Sequence, residues 1–190
     1  MADIIDTSAF RNGLKIEIDD HPYEIVEFQH VKPGKGAAFV RTKYKSLLTG
    51  NTLEKNFRSG EKFVRPDIEE KQMQYLYKEG TDYHFMDQKT YDQTFVPEAS
   101  LGDAKNFLKE NTDVSILFYR GKAIGVSVPN AMDLKVVKCD PGMKGDTVTG
   151  AMKPATLETG YVVNVPLFIE EGETIKVDTR TGQYLTRVTG

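Results

Sequence analysis

Short apolar and polar alternations broken by turn residues run through nearly the whole chain, and they restrict it to small antiparallel sheets. Leu14, Ile16 and Ile18 alternate with Lys15, Glu17 and Asp19, the period of two that a half-buried strand shows. Asp20-His21-Pro22 then turns the chain into Tyr23 to Phe28, which is hairpin grammar. Ala38 to Tyr44 and Thr52 to Phe57 follow, joined through Thr49-Gly50-Asn51. Apolar and cationic side chains interleave in that pair, so one face can build a core while the other displays positive charge. Met73, Tyr75 and Tyr77 alternate before a Glu79-Gly80 turn and a return through Tyr83 and Phe85, with strand continuing through Tyr91 to Val96. One helix is predicted, over Ser100 to Asn111, with Ala104, Phe107 and Leu108 on one face. Arg120-Gly121-Lys122 reads as a short hairpin loop between Val114 to Phe118 and Ile124 to Val128. The last stretch has Met132, Leu134 and Val136, a long polar loop from Asp140 to Thr159, and strands at Tyr161 to Ile169, Thr174 to Asp178 and Gln183 to Val188.

Prolines at Arg65-Pro66 and Pro129-Asn130 punctuate this pattern, because a proline cannot extend a strand ladder. The expected fold is therefore all-β: three small barrels in series, over residues 1–65, 66–129 and 130–190, with a single sandwich as the alternative. No run approaches the ~18 apolar residues of a membrane span, and the N-terminal residues lack the basic and apolar regions of a secretory signal. Cys139 is the only cysteine, which excludes an internal disulfide or a cysteine zinc site and fits a cytoplasmic protein without a membrane partner.

The 25 basic and 28 acidic side chains sum to −3, which as an average argues against a nucleic-acid partner. The average conceals a strong asymmetry. Residues 1–27 hold seven acids and two bases, a net of −5, and residues 28–65 hold nine bases and two acids, a net of +7. A basic ribbon of this kind can attract a polyanion locally, although on charge alone a solvated strand face is the better reading, because charge clusters are common on ordinary surfaces.

Lys32-Pro33-Gly34-Lys35-Gly36 is the sharpest local feature. Pro33-Gly34 predicts a tight type II turn with Lys35 at or near a hairpin tip. Glycine on both sides lets a second macromolecule approach the backbone. The spacing is not that of a phosphate-binding P-loop, and taken alone it fits a solvated loop lysine. Asp140 to Thr147 forms a second glycine-rich loop that can present backbone amides to an anion, reinforced by Lys144 and Lys153. Nothing forms a catalytic constellation. His21, His30 and His84 are scattered without metal spacing, and Cys139 reads as an inert thiol. Tyr75, Tyr77 and Tyr83 offer either a base-stacking platform or ordinary core.

Beyond the physics, Phe28 to Arg41 closely resembles the first-domain loop of the bacterial elongation factor P family. Lys153-Pro154-Ala155, Gly160, Val163, Val165-Pro166, Ile169 and Gly172 resemble that family's C-terminal signature, and Asp140 to Thr147 and Val177 to Gly182 look like it too. The resemblance spans essentially the full chain. It implies an L-shaped, non-enzymatic translation factor without cofactor or metal, an SH3-like (KOW-like) barrel followed by two OB-type barrels. It further implies a monomer that binds the ribosome and its rRNA between peptidyl-tRNA and the exit site and relieves stalling at consecutive prolines. The functional tip would be Lys35, extended by a modifying enzyme in many members, with Lys32, Pro33, Gly34, Gly36 and Arg41 around it facing tRNA. β-Lysylation and an aminopentanol extension remain open, the local wording being nearer to members with the latter, whereas rhamnosylation belongs to members with arginine at this position. Gly145, Asp146 and Thr147 would make a second RNA contact. There the chain departs from the family's usual wording, with Val148 and Ala151 as bulkier residues. Two rival readings stand beside this one: a general single-strand RNA module using Tyr75 and Tyr77, and a small hydrolase using Cys139 or the histidines.

Overall fold

The computed structural model describes residues 3–141 and 150–189. It is all-β, with three antiparallel sheets, the second and third curled or nearly closed into barrels. The first sheet contains β1 (Ile4–Asp6), β2 (Lys15–Ile18), β3 (His21–Val31), β4 (Phe39–Ser46), β5 (Thr52–Arg58) and β6 (Lys62–Val64), in the order β1-β6-β2-β3-β4-β5. The second contains β7 (Ile68–Glu79), β8 (Asp82–Asp87), β9 (Gln93–Pro97), β10 (Asp113–Tyr119) and β11 (Lys122–Ser127), ordered β11-β10-β7-β8-β9. The third contains β12 (Ala131–Cys139), β13 (Met152–Leu157), β14 (Val162–Pro166), β15 (Thr174–Asp178) and β16 (Gln183–Arg187), ordered β14-β13-β12-β15-β16. Its end strands β14 and β16 approach each other.

By compactness the chain divides into two units, Met1–Glu70 with Leu117–Gly125, and Lys71–Ile116 with Val126–Gly190. In the first, strict alternation along β4 sends Val40, Thr42, Tyr44 and Ser46 inward and Arg41, Lys43 and Lys45 outward. The core beneath is aromatic. Phe57 and Phe63 meet edge to face at 4.9 Å, and Phe10 and Tyr44 contact Phe57 at 6.2 and 5.7 Å, spacings at which ring quadrupoles add to burial. Two tight hairpins meet in this unit. Asp19 and Asp20 both adopt positive φ (51° and 60°), as do Arg120 and Gly121 (49° and 77°), the backbone that a two-residue type I′ turn requires.

In the second unit, Leu134, Val136, Leu157, Val165, Ile175 and Val177 are fully buried on the inner face of the third sheet, following the period of two, and Ile169, from the segment after β14, is fully buried in the same core. Phe107 joins this core and contacts Tyr161 at 5.1 Å. Arg180 forks onto Asp178, with Nε to Oδ1 at 3.1 Å and Nη2 to Oδ2 at 2.7 Å.

Three expectations change. Residues 100–111 do not form an α-helix; 3-10 turns occupy Glu98–Ser100 and Gly102–Asn106. Ala104, Phe107 and Leu108 are buried as the pattern requires, but Gly102, at the start of the second turn, adopts φ 56° and breaks the right-handed run. The loop expected from Asp140 to Thr159 contains strand β13. Its alternation is obscured because an inward position is taken by Lys153 and an outward one by Pro154. The regular alternation expected at Met73, Tyr75 and Tyr77 is interrupted by a register shift: Tyr75 faces Phe85, but Tyr77 faces His84. Leu76 is the extra residue of a bulge, which turns Tyr77 to the other face.

Candidate nucleic-acid interface

The basic ribbon is the β3–β4–β5 part of the first sheet, and residues 32–38 form the loop that joins β3 to β4. Lys32, Pro33, Gly34, Lys35, Gly36 and Ala37 are all exposed. The expected type II turn at Pro33-Gly34 is not formed: Gly34 lacks positive φ, and the left-handed residue is Gly36, at φ 113°. A Cβ on Gly36 would lie 3.8 Å from the Pro33 ring, so the proline folds over the glycine and Lys35 stands between them in sequence. The amide of Ser59 donates to the Ala38 carbonyl at 3.0 Å and ties the loop's base to the end of β5. Along the stem, Phe28 packs against the first core and meets His30 edge to face at 5.7 Å.

The charge on this ribbon is less uniform than the sequence count implies. Lys43 pairs with Glu27 at 2.8 Å. That hydrogen bond holds the Glu27 carboxyl below its ordinary range and the Lys43 ammonium above its own. Arg65 pairs with Asp3 at 3.0 Å, and Lys55 lies over the Phe57 ring at 5.5 Å. Among the described residues Lys32, Lys35 and Arg41 have no ion-pair partner. Arg41 sits on β4 between Gln29 of β3 and Asn56 of β5, two neutral neighbours. Lys45, Lys55, Arg58 and Lys62 likewise have no ion pair among the described residues, so unneutralised cations run from the loop along the ribbon, where a phosphate backbone can bind by charge without giving up a prior partner. A depression of about 180 Å³ on the same face is lined by Gln29, Arg41, Lys43, Glu27, Phe28 and Glu54.

Gly145, Asp146, Thr147 and Val148 lie outside the described residues. Lys153, expected to reinforce an anion site there, is 6% exposed and donates to the Asp140 carbonyl at 2.6 Å. Its ammonium braces the loop's start. Tyr75 and Tyr83 are core, whereas Tyr77 is exposed and stacked on His84 at 4.5 Å. Cys139 is half-buried, its Sγ directed at the Ile169 carbonyl at 3.7 Å. His21, His30 and His84 each contact a different neighbour: the Asp19 carbonyl, Phe28 and Tyr77. Among the described residues no group of His, Cys, Asp or Glu is arranged to hold a metal ion, and no helix is long and apolar enough to cross a membrane.

Sequence reasoning missed one polar constellation. Arg120, in the β10–β11 turn, donates to Glu17 at 2.9 Å and Asp20 at 3.0 Å. The Tyr119 hydroxyl is shared between Glu17 Oε2 at 3.0 Å and the Asp20 carbonyl at 3.1 Å. The partners are about a hundred residues apart in sequence, so no local motif announces them.

Comparison with known proteins fits this geometry throughout. Family models described as the elongation factor P KOW-like domain, OB domain and C-terminal domain match residues 6–63, 68–126 and 132–187. An elongation factor P of Pelotomaculum thermopropionicum is 53% identical over 97% of this chain and 100% of its own length. The chain belongs to the elongation factor P family. That of Bdellovibrio bacteriovorus is 55% identical over 96% of this chain and 97% of its own. Among solved structures, a translation initiation factor 5A of Methanococcus jannaschii aligns with a TM-score of 0.53 at 23% identity, over 67% of this chain and 92% of that one; this is a likeness of fold. Membership places the chain among non-enzymatic factors that act in translation.

Proposed function

We propose that the chain binds the ribosome beside peptidyl-tRNA and promotes peptide-bond formation at consecutive prolines, with Lys35 as the contacting group. The observation that carries this reading is the exposed loop bearing the unneutralised Lys32 and Lys35, continued by Arg41 near the start of β4, in a chain of this family. Residues 1–65 would deliver the loop, with 66–129 and 130–190 as the other domains and the Gly145–Thr147 segment as a second RNA contact.

The chemistry follows from proline itself. Its ring restricts the nascent chain, so the attacking amine and the ester seldom reach reacting geometry. A factor that holds the peptidyl-tRNA end in place supplies orientation, a term worth up to ~7–11 kcal/mol in favourable intramolecular reactions. A cation at the end of a loop can pair with phosphate and hydroxyl oxygens of that RNA. Covalent extension of Lys35 by a modifying enzyme would lengthen its reach. The bond is then made by the ribosome, and the factor contributes position.

The test is Lys35→Ala in a reconstituted translation system making a polyproline-containing product. The variant is expected to keep its circular dichroism and lose rescue. Undiminished rescue refutes the role of Lys35. The intact mass of the protein from its native host, followed by peptide mapping, determines whether Lys35 is extended and by which group.

A further inference from the structure

The bulge at Leu76 has a consequence on the outer face of the second sheet. Because the register shifts there, Tyr77 of β7, His84 of β8 and Phe95 of β9 fall opposite one another on three adjacent strands. The rings of Tyr77 and His84 stack at 4.5 Å with planes 14° apart, and His84 and Phe95 lie at 6.3 Å. Tyr77 is 44% and Phe95 57% exposed. A sheet buries aromatic rings on its core side, as this one does with Tyr75, Tyr83 and Phe85. Two exposed rings with the partly covered His84 between them form a contiguous surface whose desolvation favours a partner.

Charge decides which partner. On the same face, one pleat along, Glu79 and Asp82 stand opposite each other, and Glu79 lies 3.5 Å from the His84 imidazole. The nearest lysine in sequence, Lys78, alternates to the other face, over the Tyr83 ring at 5.0 Å, and is bound to Glu98 at 2.8 Å. The row beyond the rings, Gln74, Met86 and Gln93, is neutral. A stacking platform for RNA needs cations beside the rings to hold the phosphates; here carboxylates occupy that place. Aromatic faces bordered by carboxylates are suited instead to guanidinium and ammonium groups, which gain cation–π attraction from the rings and a hydrogen-bonded ion pair from the acids.

We infer that Tyr77, His84 and Phe95, with Glu79 and Asp82, form a docking surface for an arginine- or lysine-bearing extended segment of a protein partner. This surface is separate from the Lys35 loop, and its existence does not depend on the role proposed for that loop.

The test titrates the full-length chain with a 12-residue peptide of alternating arginine and glycine, and in parallel with a lysine–glycine peptide and a decauridine RNA. Two-dimensional NMR of the backbone amides and aromatic side chains reports the site. Saturable shifts confined to residues 74–97 are expected for the basic peptides. Phe95→Ala and Tyr77→Ala, which leave the net charge unchanged, are each expected to weaken binding at least fivefold. Glu79→Gln with Asp82→Asn is expected to do so at least threefold, while Glu171→Gln and Lys35→Ala leave it unchanged. Preferential binding of decauridine at these residues overturns the inference, as does peptide binding insensitive to loss of the two rings. Circular dichroism of each variant verifies that the sheet is retained, and His84→Phe, which keeps the stack, is expected to preserve binding.

Discussion

Replacing Tyr119 by phenylalanine removes one oxygen from the contact between the β10–β11 turn and the β2–β3 turn. The ring stays, 8% exposed, with the Arg120 guanidinium over it at 5.1 Å. What is lost is a hydroxyl shared between Glu17 Oε2 and the Asp20 carbonyl. A hydrogen bond to a charged group contributes about 1.5–3 kcal/mol net. The lower end applies because Arg120 still holds the other carboxylate oxygen of Glu17 at 2.9 Å, so the acid is not stranded. About 1.5 kcal/mol corresponds to roughly a tenfold rise in the local opening equilibrium. The Arg120 amide, which donates to the Asp67 carbonyl at 3.1 Å, reports that opening directly. Native-state hydrogen exchange by NMR should show it exchanging roughly ten times faster in Tyr119→Phe, with the amide of buried Val40 unchanged. A change below twofold at Arg120 would refute the assignment of this hydroxyl as a clamp. Burial, and then the hydrogen bond to Glu17, hold the Tyr119 phenol above its ordinary value of 10.0. The clamp is therefore intact below pH 10 and is lost as pH rises through the elevated folded value.

Two further outcomes are expected. Arg180 holds the Asp178 carboxyl down, from an ordinary 3.8 to about 2; its contribution is present above pH 3.8 and disappears as pH falls towards 2. Acid titration followed by circular dichroism should accordingly lose part of its slope in that window in Asp178→Asn, and an unaltered profile contradicts the pairing. In the loop, Gly36→Ala places a side chain at φ 113°, a strain on the order of 1–3 kcal/mol that the exposed loop relieves by changing shape. Polyproline rescue should fall while the urea midpoint stays put; full rescue would show that the direction in which Lys35 points is unimportant.

Much of this architecture is written locally. The alternation of Val40, Thr42 and Tyr44 with Arg41, Lys43 and Lys45 prescribes β4 and its two faces, and Arg120-Gly121 prescribes a turn because the pair accepts positive φ. Failures occur where a distant contact or a single backbone irregularity overrides the pattern. Gly102 divides a well-formed apolar face into two 3-10 turns. Lys153 conceals a strand because its ammonium finds the Asp140 carbonyl, a partner that periodicity does not reveal. The loop lysine was legible as exposed and cationic, but its distinction from Lys43 and Arg65 was not, since that depends on Glu27 and Asp3 being brought across the sheet.

The alternation of β4 also acts as a ruler. Each cation at 41, 43 and 45 points outward because its neighbours at 40, 42, 44 and 46 fill the interior. Adding or deleting one residue within 39–46 would send three charges into an aromatic core and expose its filling. Between 32 and 38 no such phase is kept, for every residue from 32 to 37 already faces solvent. The fold therefore tolerates a change of length in the loop, at whatever cost to the reach and direction of its lysine, while the charged face behind it stays in phase with the packing of the first core.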